Sequence, residues 1–584
     1  MLRRVVVAVL LACLTGCMSE RAPVPNEPSV YLGNPRFGIR IGPDGTGRGL
    51  PAFEMHTSRF GPSVNPASVN IEVEDAGELQ LKESHLDYRS GEHTVERRDG
   101  TKFVRVITVV DPIEPIVAQR FTSNAHIRIT SPPADNLHSW EIIRRIDTNT
   151  IERISGTMAE KPTFRYDDIL NRSKAHLAKL FQTRIIIDGP DEDQRAIDSF
   201  LFNLYINGSP MLPPMGVSSA KYRGRRFWDA EAWMLPVYAL IRPSVAKDAT
   251  KWRADRVLRR RHIPWEAGAD GEDLTPKEFA RAIHVAGWVA WWIEGAAAFG
   301  FVSTETSREV AQIAFRQFEA AARDTARGIE IPNVESPDEG RLRNNDLVTN
   351  LLAKWTAERI GSDEWAKKVV IPRASDGLPA TYDNDHLKTY QQAAALLALY
   401  PLEWPFDLVT QHRMFDRYKD KTSEVGPAMS DSIHAVIAAR LGRADEAYVL
   451  WKRSWEPFVD RNMQFQERRG SQDTYFVTGA AGCLQSVIYG FLGVRISKEA
   501  VRGRSVPMRN GCHLSIEPNL PKAWRSITFT NLWIDGRRYT IRADHDGVII
   551  KSSRHKSTQH DNRLLDGPFQ STSALLIETS GRIK

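Results

Sequence analysis

The sequence has few cysteines for its size, four among 584 residues, and no two of them have the Cys-x-x-Cys spacing. Four thiols cannot form a disulfide framework in a chain of this length, and the missing spacing excludes a thiolate zinc site. Lys and Arg total 78 against 72 Asp and Glu, and the basic residues form no long run. The small net charge of +6 therefore disfavours a nucleic-acid-binding protein.

Long apolar runs are also missing, apart from ten residues near the N-terminus, Val5 to Leu14, that follow Arg3 and Arg4. This run is shorter than the ~18 residues of a membrane span and is typical of a secretory signal, residues 1–16. Leu14-Thr15-Gly16-Cys17 resembles a bacterial lipobox, in which Cys17 carries the lipid. Residues 17–29 then predict a tether. Met18 in place of Asp predicts anchoring at the outer membrane, facing the periplasm or the cell surface. A plain signal peptide is the alternative.

Hydrophobic residues make up 42% of the chain and charged residues 26%, which excludes disorder and allows a large core. Residues 30–155 contain β-branched runs such as Phe103 to Val110, bounded by turns such as Pro43-Asp44-Gly45. This pattern predicts an N-terminal antiparallel β-sandwich. Residues 156–190 are expected to form a linker with a helix over Arg172–Phe181 and a strand over Thr183–Ile187.

Residues 191–495 read as serial helices with no convincing strand between them. The predicted helices are Asp193–Ile206, Glu231–Leu240, Ser244–Leu258, Pro276–Phe299, Thr306–Thr325, Asp346–Ile360, Lys388–Tyr400, Pro405–Tyr418, Ala428–Leu441, Ala444–Trp455 and Gly479–Gly490. Thr306 and Glu309 form a candidate capping box, and Gly328 is a candidate end for the same helix. Strands return in a small β-domain at 505–552, and 553–584 is a polar tail. The fold class is multidomain α+β, with a closed α/α toroid at its centre.

Twelve of the fifteen tryptophans lie between Trp228 and Trp455. A tryptophan ring offers a flat apolar face that suits the C–H face of a sugar. Trp228-Asp229 and Trp265-Glu266 each place a carboxylate, which accepts from hydroxyls, directly after such a ring. These two pairs predict a carbohydrate pocket. Trp288, Trp291 and Trp292, inside one apolar helix, are expected in the core.

Several segments, in the same order along the chain, resemble glycoside hydrolase family 65. They are Tyr222 to Pro236, Trp265 to Pro276, Pro337 to Asn350, Gln392-Ala393, Gly426 to Met429 and Phe476 to Gln485. The resemblance implies inverting α-glucoside hydrolases or phosphorylases on a central (α/α)6 barrel. It implies no metal and no cofactor, and it is greatest toward the hydrolase branch, which includes kojibiose hydrolases and the glucosidase acting on glucosyl-galactosyl-hydroxylysine.

Inverting hydrolysis requires an acid and a base about 6.5–9.5 Å apart. The resemblance implies that Glu339 is the general acid, with the neighbouring Asp338 helping to keep it protonated. It implies that Glu467 is the general base, the residue that selects water over phosphate as nucleophile. The alternative for Glu339 is a solvated acidic turn that includes Glu335. The alternative for Glu467 is a surface cluster with the arginines that follow it.

The same resemblance implies a glucose subsite formed by Trp228, Asp229, Trp265, Glu266, Gln392 and His284. His284 is equally well explained as a core histidine. Glu231 is a candidate third carboxylate or a residue that only starts a helix. Gln391 and Gly340 depart from the family pattern near the leaving group and predict an altered aglycone.

Three functions follow from these expectations. The first is an inverting, lipid-anchored hydrolase that releases glucose from α-linked glucosides. The second is an α-glucoside phosphorylase, which the export signal disfavours because sugar phosphates are more useful inside the cell. The third is a non-catalytic carbohydrate-binding lipoprotein.

Overall fold

The computed structural model describes residues 29–53, 65–132, 140–156, 163–219, 221–337, 339–471, 475–500, 504–508 and 511–553. The predicted signal peptide, Cys17, nearly all of the predicted tether and polar tail, and Asp338 lie outside these ranges. The lipid anchor and its membrane therefore remain predictions. No helix within the described part of the chain combines the length and the apolar character needed to cross a bilayer.

The described residues of the N-terminal region form eleven antiparallel strands. They are β1 (Val30–Asn34), β2 (Phe37–Ile41), β3 (Gly47–Phe53), β4 (Asn70–Val73), β5 (Gln80–Asp87), β6 (Glu92–Asp99), β7 (Lys102–Val110), β8 (Ile116–Ser123), β9 (Ile127–Thr130), β10 (Trp140–Arg145) and β11 (Thr150–Gly156). They form a three-stranded sheet in the order β1-β2-β3, a six-stranded sheet in the order β10-β11-β8-β7-β6-β5, and the pair β4-β9. The predicted turn at Gly45 joins β2 to β3 with a positive φ of 79°.

The six-stranded sheet is covered on both faces. Val104 and Val106 of β7 belong to the apolar cluster shared with Ile127 of β9. Val109 of the same strand packs with Tyr166 and Ile169 of helix α1 (Tyr166–Leu180). The sheet-rich region is thus confirmed, and α1 begins six residues earlier than its predicted start at Arg172.

Strand β12 (Arg184–Asp188) leads into the helical region. The helices are α2 (Asp191–Ile206), α3 (Leu235–Ile241), α4 (Pro243–Arg260), α5 (His284–Ala298), α6 (Thr304–Ala321), α7 (Leu347–Ile360), α8 (Asp363–Lys368), α9 (Ala394–Leu399), α10 (Leu408–Tyr418), α11 (Ser430–Arg440), α12 (Ala444–Trp455) and α13 (Val477–Gln485). A π-helical turn, Ala230–Met234, leads into α3, and a second, Ser486–Phe491, extends α13.

The turn Ala230–Met234 before α3 contacts α5, and α5, α7, α9, α11 and α13 contact one another in sequence. Helix α13 then returns to the same turn and to α3. The even-numbered helices pack outside them, α4 against α3 and α5, and α12 against α11 and α13. Burial follows this arrangement, because every residue of α3, α9 and α13 is buried. The amphipathic α6 and α10 instead bury only one face.

Local capping explains the helix ends that were predicted well. Asp346 accepts from the Thr349 N–H at the start of α7, and Gly361 ends that helix with φ 82°. For α6 the prediction was wrong at both ends. Ser303, not Thr306, caps the helix, and Gly328 lies in a strand pair of β13 (Arg323–Thr325) and β14 (Gly328–Glu330).

Two further predicted helices are shorter in the structure. The segment predicted as a helix from Pro276 starts its α-helix only at His284. Before it, the Arg281 carbonyl accepts from the Glu335 N–H, and the Arg281 side chain donates to the carbonyls of Pro332 and Asn333. Residues 388–393 are not helical, since the Tyr390 N–H bonds the carbonyl of Lys421. These tertiary contacts override the local helical pattern.

The C-terminal sheets include strands from outside the predicted 505–552 domain. The first sheet has the order β12-β20-β21-β22, with β20 (Ser526–Ile534), β21 (Arg537–Asp544) and β22 (Val548–Ser553). The second has the order β17-β19-β18, with β17 (Val494–Ser497), β18 (Ser505–Pro507) and β19 (His513–Ile516). The strand of the predicted linker, β12, therefore pairs with β20 far along the chain.

Candidate active site

Polar side chains collect at the N-terminal ends of the inner helices. Asp229 directly precedes the turn that leads into α3, and His284 is the first residue of α5. Gln392 lies two residues before α9, and Thr478 is in the first turn of α13. The Asp229 carboxylate accepts a 2.8 Å hydrogen bond from the Thr478 hydroxyl, which joins the first and last inner helices. One end of the ring therefore carries the candidate site.

Glu339 lies in the loop of a short hairpin. Strand β15 (Val334–Glu335) pairs with β16 (Leu342–Arg343), and Gly340 takes a positive φ of 98° in the loop. Burial, and after it the charges of Asp229, Glu335 and Glu467, together raise the pKa of Glu339 to about 8. A carboxyl group in this setting keeps its proton near neutral pH.

Glu335 was not predicted as a site residue. It is 3% exposed, so Glu335 itself is not part of a solvated acidic turn. The Glu335 carboxylate accepts from the Gly340 N–H, which ties the hairpin loop to its own strand. Glu335 thus both shapes the loop and adds negative charge beside Glu339.

Glu467 is buried, with 6% of its side chain exposed, which excludes a surface charge cluster. The Tyr222 hydroxyl donates to Oε1 at 2.7 Å, and the Lys221 ammonium donates to Oε2. The two arginines that follow have other partners. Arg468 donates to the Val425 carbonyl and Arg469 pairs with Glu424. The cation at this carboxylate is therefore Lys221, which sequence reasoning missed.

Among the described residues, no Lys or Arg side chain forms an ion pair with Asp229. Its pKa is raised to about 7, mainly by burial and in small part by the charge of Glu467, while the hydrogen bond from the Thr478 hydroxyl acts in the opposite direction. Asp229 and Glu467 both perturb Glu339, so these three carboxyl groups share one electrostatic environment. The fold thus brings together three candidate groups that are far apart in sequence: the acid Glu339, the base Glu467 and the hydroxyl-binding Asp229.

Glu266 and Trp265 form one wall of this region. Arg225 donates to Glu266 Oε1 at 2.5 Å, and the Ala267 backbone pairs with that of Arg226. The Trp265 ring stacks on Phe279 at 4.2 Å between centroids. Its indole N–H is buried without a hydrogen-bond partner. One face of this ring is therefore already covered, and the N–H is unsatisfied.

Trp228 and His284 are more buried than a sugar platform requires. Trp228 is 3% exposed and packs against Trp233, Trp288 and His284, with the His284 ring 5.0 Å away edge-on. Burial lowers the pKa of His284 to about 3, so its ring is neutral, and its Nδ1 has no partner. The indole of Trp228 thus supports the residue that follows it, Asp229.

Gln392 is buried near the same helix ends. Its side-chain N–H donates to the sulfur of Met429 at 3.7 Å, and its Oε1 is buried without a partner. An unsatisfied buried amide oxygen costs free energy unless a ligand or a water satisfies it. Gln392 is thus available to accept from a sugar hydroxyl.

Glu231, the candidate third carboxylate, belongs to the core. It is fully buried and accepts from Arg226 at 2.8 Å, with the Arg253 guanidinium at 3.3 Å. Arg226 also donates to the carbonyls of Pro210 and Ala249. Glu231 therefore balances the charges of two buried arginines. Neither of the two sequence interpretations anticipated this role. Across the described ranges, no three His, Cys, Asp or Glu side chains are placed to share a metal ion.

The residues missed by sequence reasoning lie beside the motifs that were recognised. Lys221 directly precedes the segment that begins at Tyr222, and Thr478 lies inside the Phe476 to Gln485 segment. The motifs therefore contained the signal for Tyr222 and Thr478, but no local pattern assigns them a partner.

Comparison with known proteins gives this geometry a family. A sequence profile of the glycosyl hydrolase family 65 central catalytic domain matches residues 201–368, and that of the family's C-terminal domain matches residues 508–559. The central and C-terminal segments of the chain thus resemble glycosyl hydrolase family 65. The central match contains Asp229, Glu266 and Glu339, so most of the candidate site lies within family 65 sequence.

Two curated relatives are kojibiose hydrolases. The chain is 28% identical over 416 residues to the enzyme of Flavobacterium johnsoniae, covering 64% of this chain and 59% of the relative. It is 27% identical over 420 residues to that of Mucilaginibacter mallensis, covering 63% and 59%. The chain thus spans about three fifths of the length of these family 65 relatives.

A solved structure assigned as a kojibiose phosphorylase from human microbiome has the same fold. The TM-score is 0.67 at 16% sequence identity, covering 90% of this chain and 92% of the other. At this sequence identity the likeness concerns the fold, and it includes nine tenths of this chain.

Proposed function

We propose that this protein is an inverting α-glucosidase that releases glucose from an α-linked glucoside, such as a kojibiose-like disaccharide or an α-glucosyl-galactose unit. One observation carries the proposal. A carboxyl group that keeps its proton, Glu339, shares an environment with a buried carboxylate, Glu467, that accepts from two donors. Inverting hydrolysis requires that combination of one acid and one base.

In the proposed reaction, Glu339 donates its proton to the glycosidic oxygen as the bond from that oxygen to C1 breaks. A water attacks C1 from the opposite face, and Glu467 accepts the proton that the water loses. The products are the free aglycone and β-glucose. Glu339 ends ionised and Glu467 protonated, and proton exchange with solvent restores both.

The glucose subsite in this proposal is formed by Asp229, Glu266, Gln392, His284 and the two tryptophans that precede the carboxylates, Trp228 and Trp265. Asp229 and Glu266 accept from sugar hydroxyls, and the unsatisfied Gln392 oxygen does the same. The contacts of Trp228 favour a supporting position behind Asp229. The closed sequence of inner contacts supports an (α/α)6 barrel as the scaffold of this pocket.

In the decisive experiment, the protein is incubated with kojibiose, nigerose, maltose or trehalose, with and without inorganic phosphate. NMR then identifies which anomer of glucose is released first. We expect phosphate-independent release of β-glucose, with kojibiose the preferred substrate. Formation of glucose 1-phosphate only when phosphate is present would establish a phosphorylase. Sugar binding without turnover would establish a non-catalytic binding protein.

A further inference from the structure

The base proposed above is held by one short turn distant in sequence. Lys221–Gly224 supplies both donors, the Tyr222 hydroxyl to Oε1 and the Lys221 ammonium to Oε2, from about 245 residues before Glu467. A carboxylate oxygen has two acceptor positions, so each oxygen keeps one after these contacts. The two donors therefore fix the carboxylate plane and leave one acceptor position on each oxygen.

The backbone of this turn is strained. Tyr222, Arg223 and Gly224 are consecutive residues with φ of 57°, 51° and 64°. The left-handed conformation costs roughly 1–2 kcal/mol for each residue other than glycine. Such strain persists only where the surroundings enforce it, and it concentrates at functional sites.

Contacts on the C-terminal side hold the strained turn in place. After the turn, Arg226 and Ala267 exchange backbone hydrogen bonds of 3.0 and 2.9 Å. The Tyr222 ring packs edge-on against Phe227 with centroids 5.4 Å apart. The position of the Tyr222 hydroxyl is thus determined by the wall that also carries Trp265 and Glu266.

The state of the hydroxyl agrees with this geometry. Burial raises the pKa of Tyr222 far above its usual value, and the neighbouring charge of Glu467 raises it further. The phenol therefore remains a donor throughout the working pH range. Lys221 differs, because 37% of its side chain is exposed and its stem is flexible.

We propose that Tyr222 is a positioning residue that orients the Glu467 carboxylate toward the nucleophilic water, with Lys221 as the secondary holder of the other oxygen. This inference rests on the proposed function. Without the phenol hydroxyl the carboxylate can rotate, and small displacements of a reacting group are costly. Tyr222→Phe is expected to lower kcat by roughly 10–100-fold while KM stays within about twofold. Lys221→Met is expected to lower kcat less.

The test compares Tyr222→Phe and Lys221→Met with matched controls outside the site. Tyr489→Phe removes another buried hydroxyl, which donates to the Pro236 carbonyl at 2.7 Å, and Lys251→Met removes an exposed lysine. Both controls should keep wild-type kcat. A thermal unfolding midpoint for each variant separates a loss of folded protein from a loss of rate.

The Tyr222→Phe/Glu467→Ala double variant tests whether the phenol acts through the glutamate. If it does, adding Tyr222→Phe to Glu467→Ala leaves the residual hydrolysis rate unchanged, because there is no carboxylate to orient. A further loss in the double variant, or full kcat in Tyr222→Phe, would overturn the inference while wild-type hydrolysis upholds the proposed function. A wild-type protein that hydrolyses no α-glucoside would overturn both.

Discussion

The two glutamates of the candidate site lie in opposite electrostatic surroundings. Around Glu339 the nearby charges are mostly negative, from Asp229, Glu335 and Glu467, and burial adds to their effect. Around Glu467 the contacts are an ammonium and a phenol hydroxyl, from Lys221 and Tyr222. One surrounding favours a protonated carboxyl and the other favours an acceptor. Two identical side chains can therefore take different chemical roles because of their neighbours.

The two surroundings also arise differently along the chain. Glu335 reaches Glu339 within a single hairpin, through the paired strands β15 and β16. The donors to Glu467 come from a turn about 245 residues away. The acid environment is therefore partly local, whereas the base environment depends on the fold of the whole helical region.

The largest expected effect distinguishes the roles of Glu339 and Glu467 by comparing substrates with different leaving groups. Glu339→Gln and Glu467→Gln should each lower kcat on kojibiose by about 10³-fold, within the usual range for an acid or a base. On α-glucosyl fluoride, whose leaving group needs little protonation, Glu339→Gln should regain most activity and Glu467→Gln should not.

The control for this comparison is Glu358→Gln, which changes a glutamate on an outer surface paired with Lys354 and should match the wild type. Equal recovery of both site variants on the fluoride would contradict the assigned roles. So would recovery of Glu467→Gln alone.

The next effect is in the pH profile. Glu339 must be protonated to act as an acid, and its pKa is raised to about 8. Activity on kojibiose, as kcat/KM, is therefore expected to fall about tenfold per pH unit above pH 8. With α-glucosyl fluoride this alkaline decline should weaken or disappear. A decline that begins near pH 5 would place Glu339 in its ionised form and contradict the comparison.

A smaller effect concerns stability. Between the ordinary pKa of a glutamate and about 8, the native state binds a proton at Glu339 that the unfolded state releases. The free energy of unfolding therefore falls as pH rises through this window. Glu339→Gln removes that dependence and should gain roughly 2 kcal/mol relative to the wild type between pH 5 and pH 8.5. Urea unfolding at both pH values measures it, with the exposed Glu319→Gln as the control.

Much of the fold could be predicted from local sequence. The helix Ala444–Trp455 was predicted with the bounds it has in the structure, and Asp346 and Gly361 mark the ends of α7 as their residue types suggest. Errors occurred where distant contacts decide the conformation. Strand β12 joins the C-terminal sheet, and the segment around Tyr390 pairs with residues near Thr422. No local pattern reports such pairings.

The candidate site follows the same rule. Glu339 and Glu467 could be proposed because each lies in a recognisable segment. Lys221 could not, because nothing in its own segment points to a carboxylate 246 residues away. Glu231 was misread for the same reason, since Arg253 neutralises it from the next helix. Sequence motifs identify the residue types of the pocket, and only the fold assigns their partners.

The smallest expected effect is that of Glu335→Gln, which tests how much the hairpin itself contributes to the surroundings of Glu339. Glutamine keeps an oxygen that can accept from the Gly340 N–H but removes one negative charge beside Glu339. The pKa of Glu339 should then fall, and the alkaline decline of kcat/KM should move to lower pH by roughly half a unit, the effect of one screened charge. Glu335→Ala also removes the acceptor for the Gly340 N–H, so it should lower kcat more than Glu335→Gln does. If Glu335→Gln leaves the profile unmoved, burial and the carboxylates of Asp229 and Glu467 alone keep the acid protonated, and the hairpin contributes only shape.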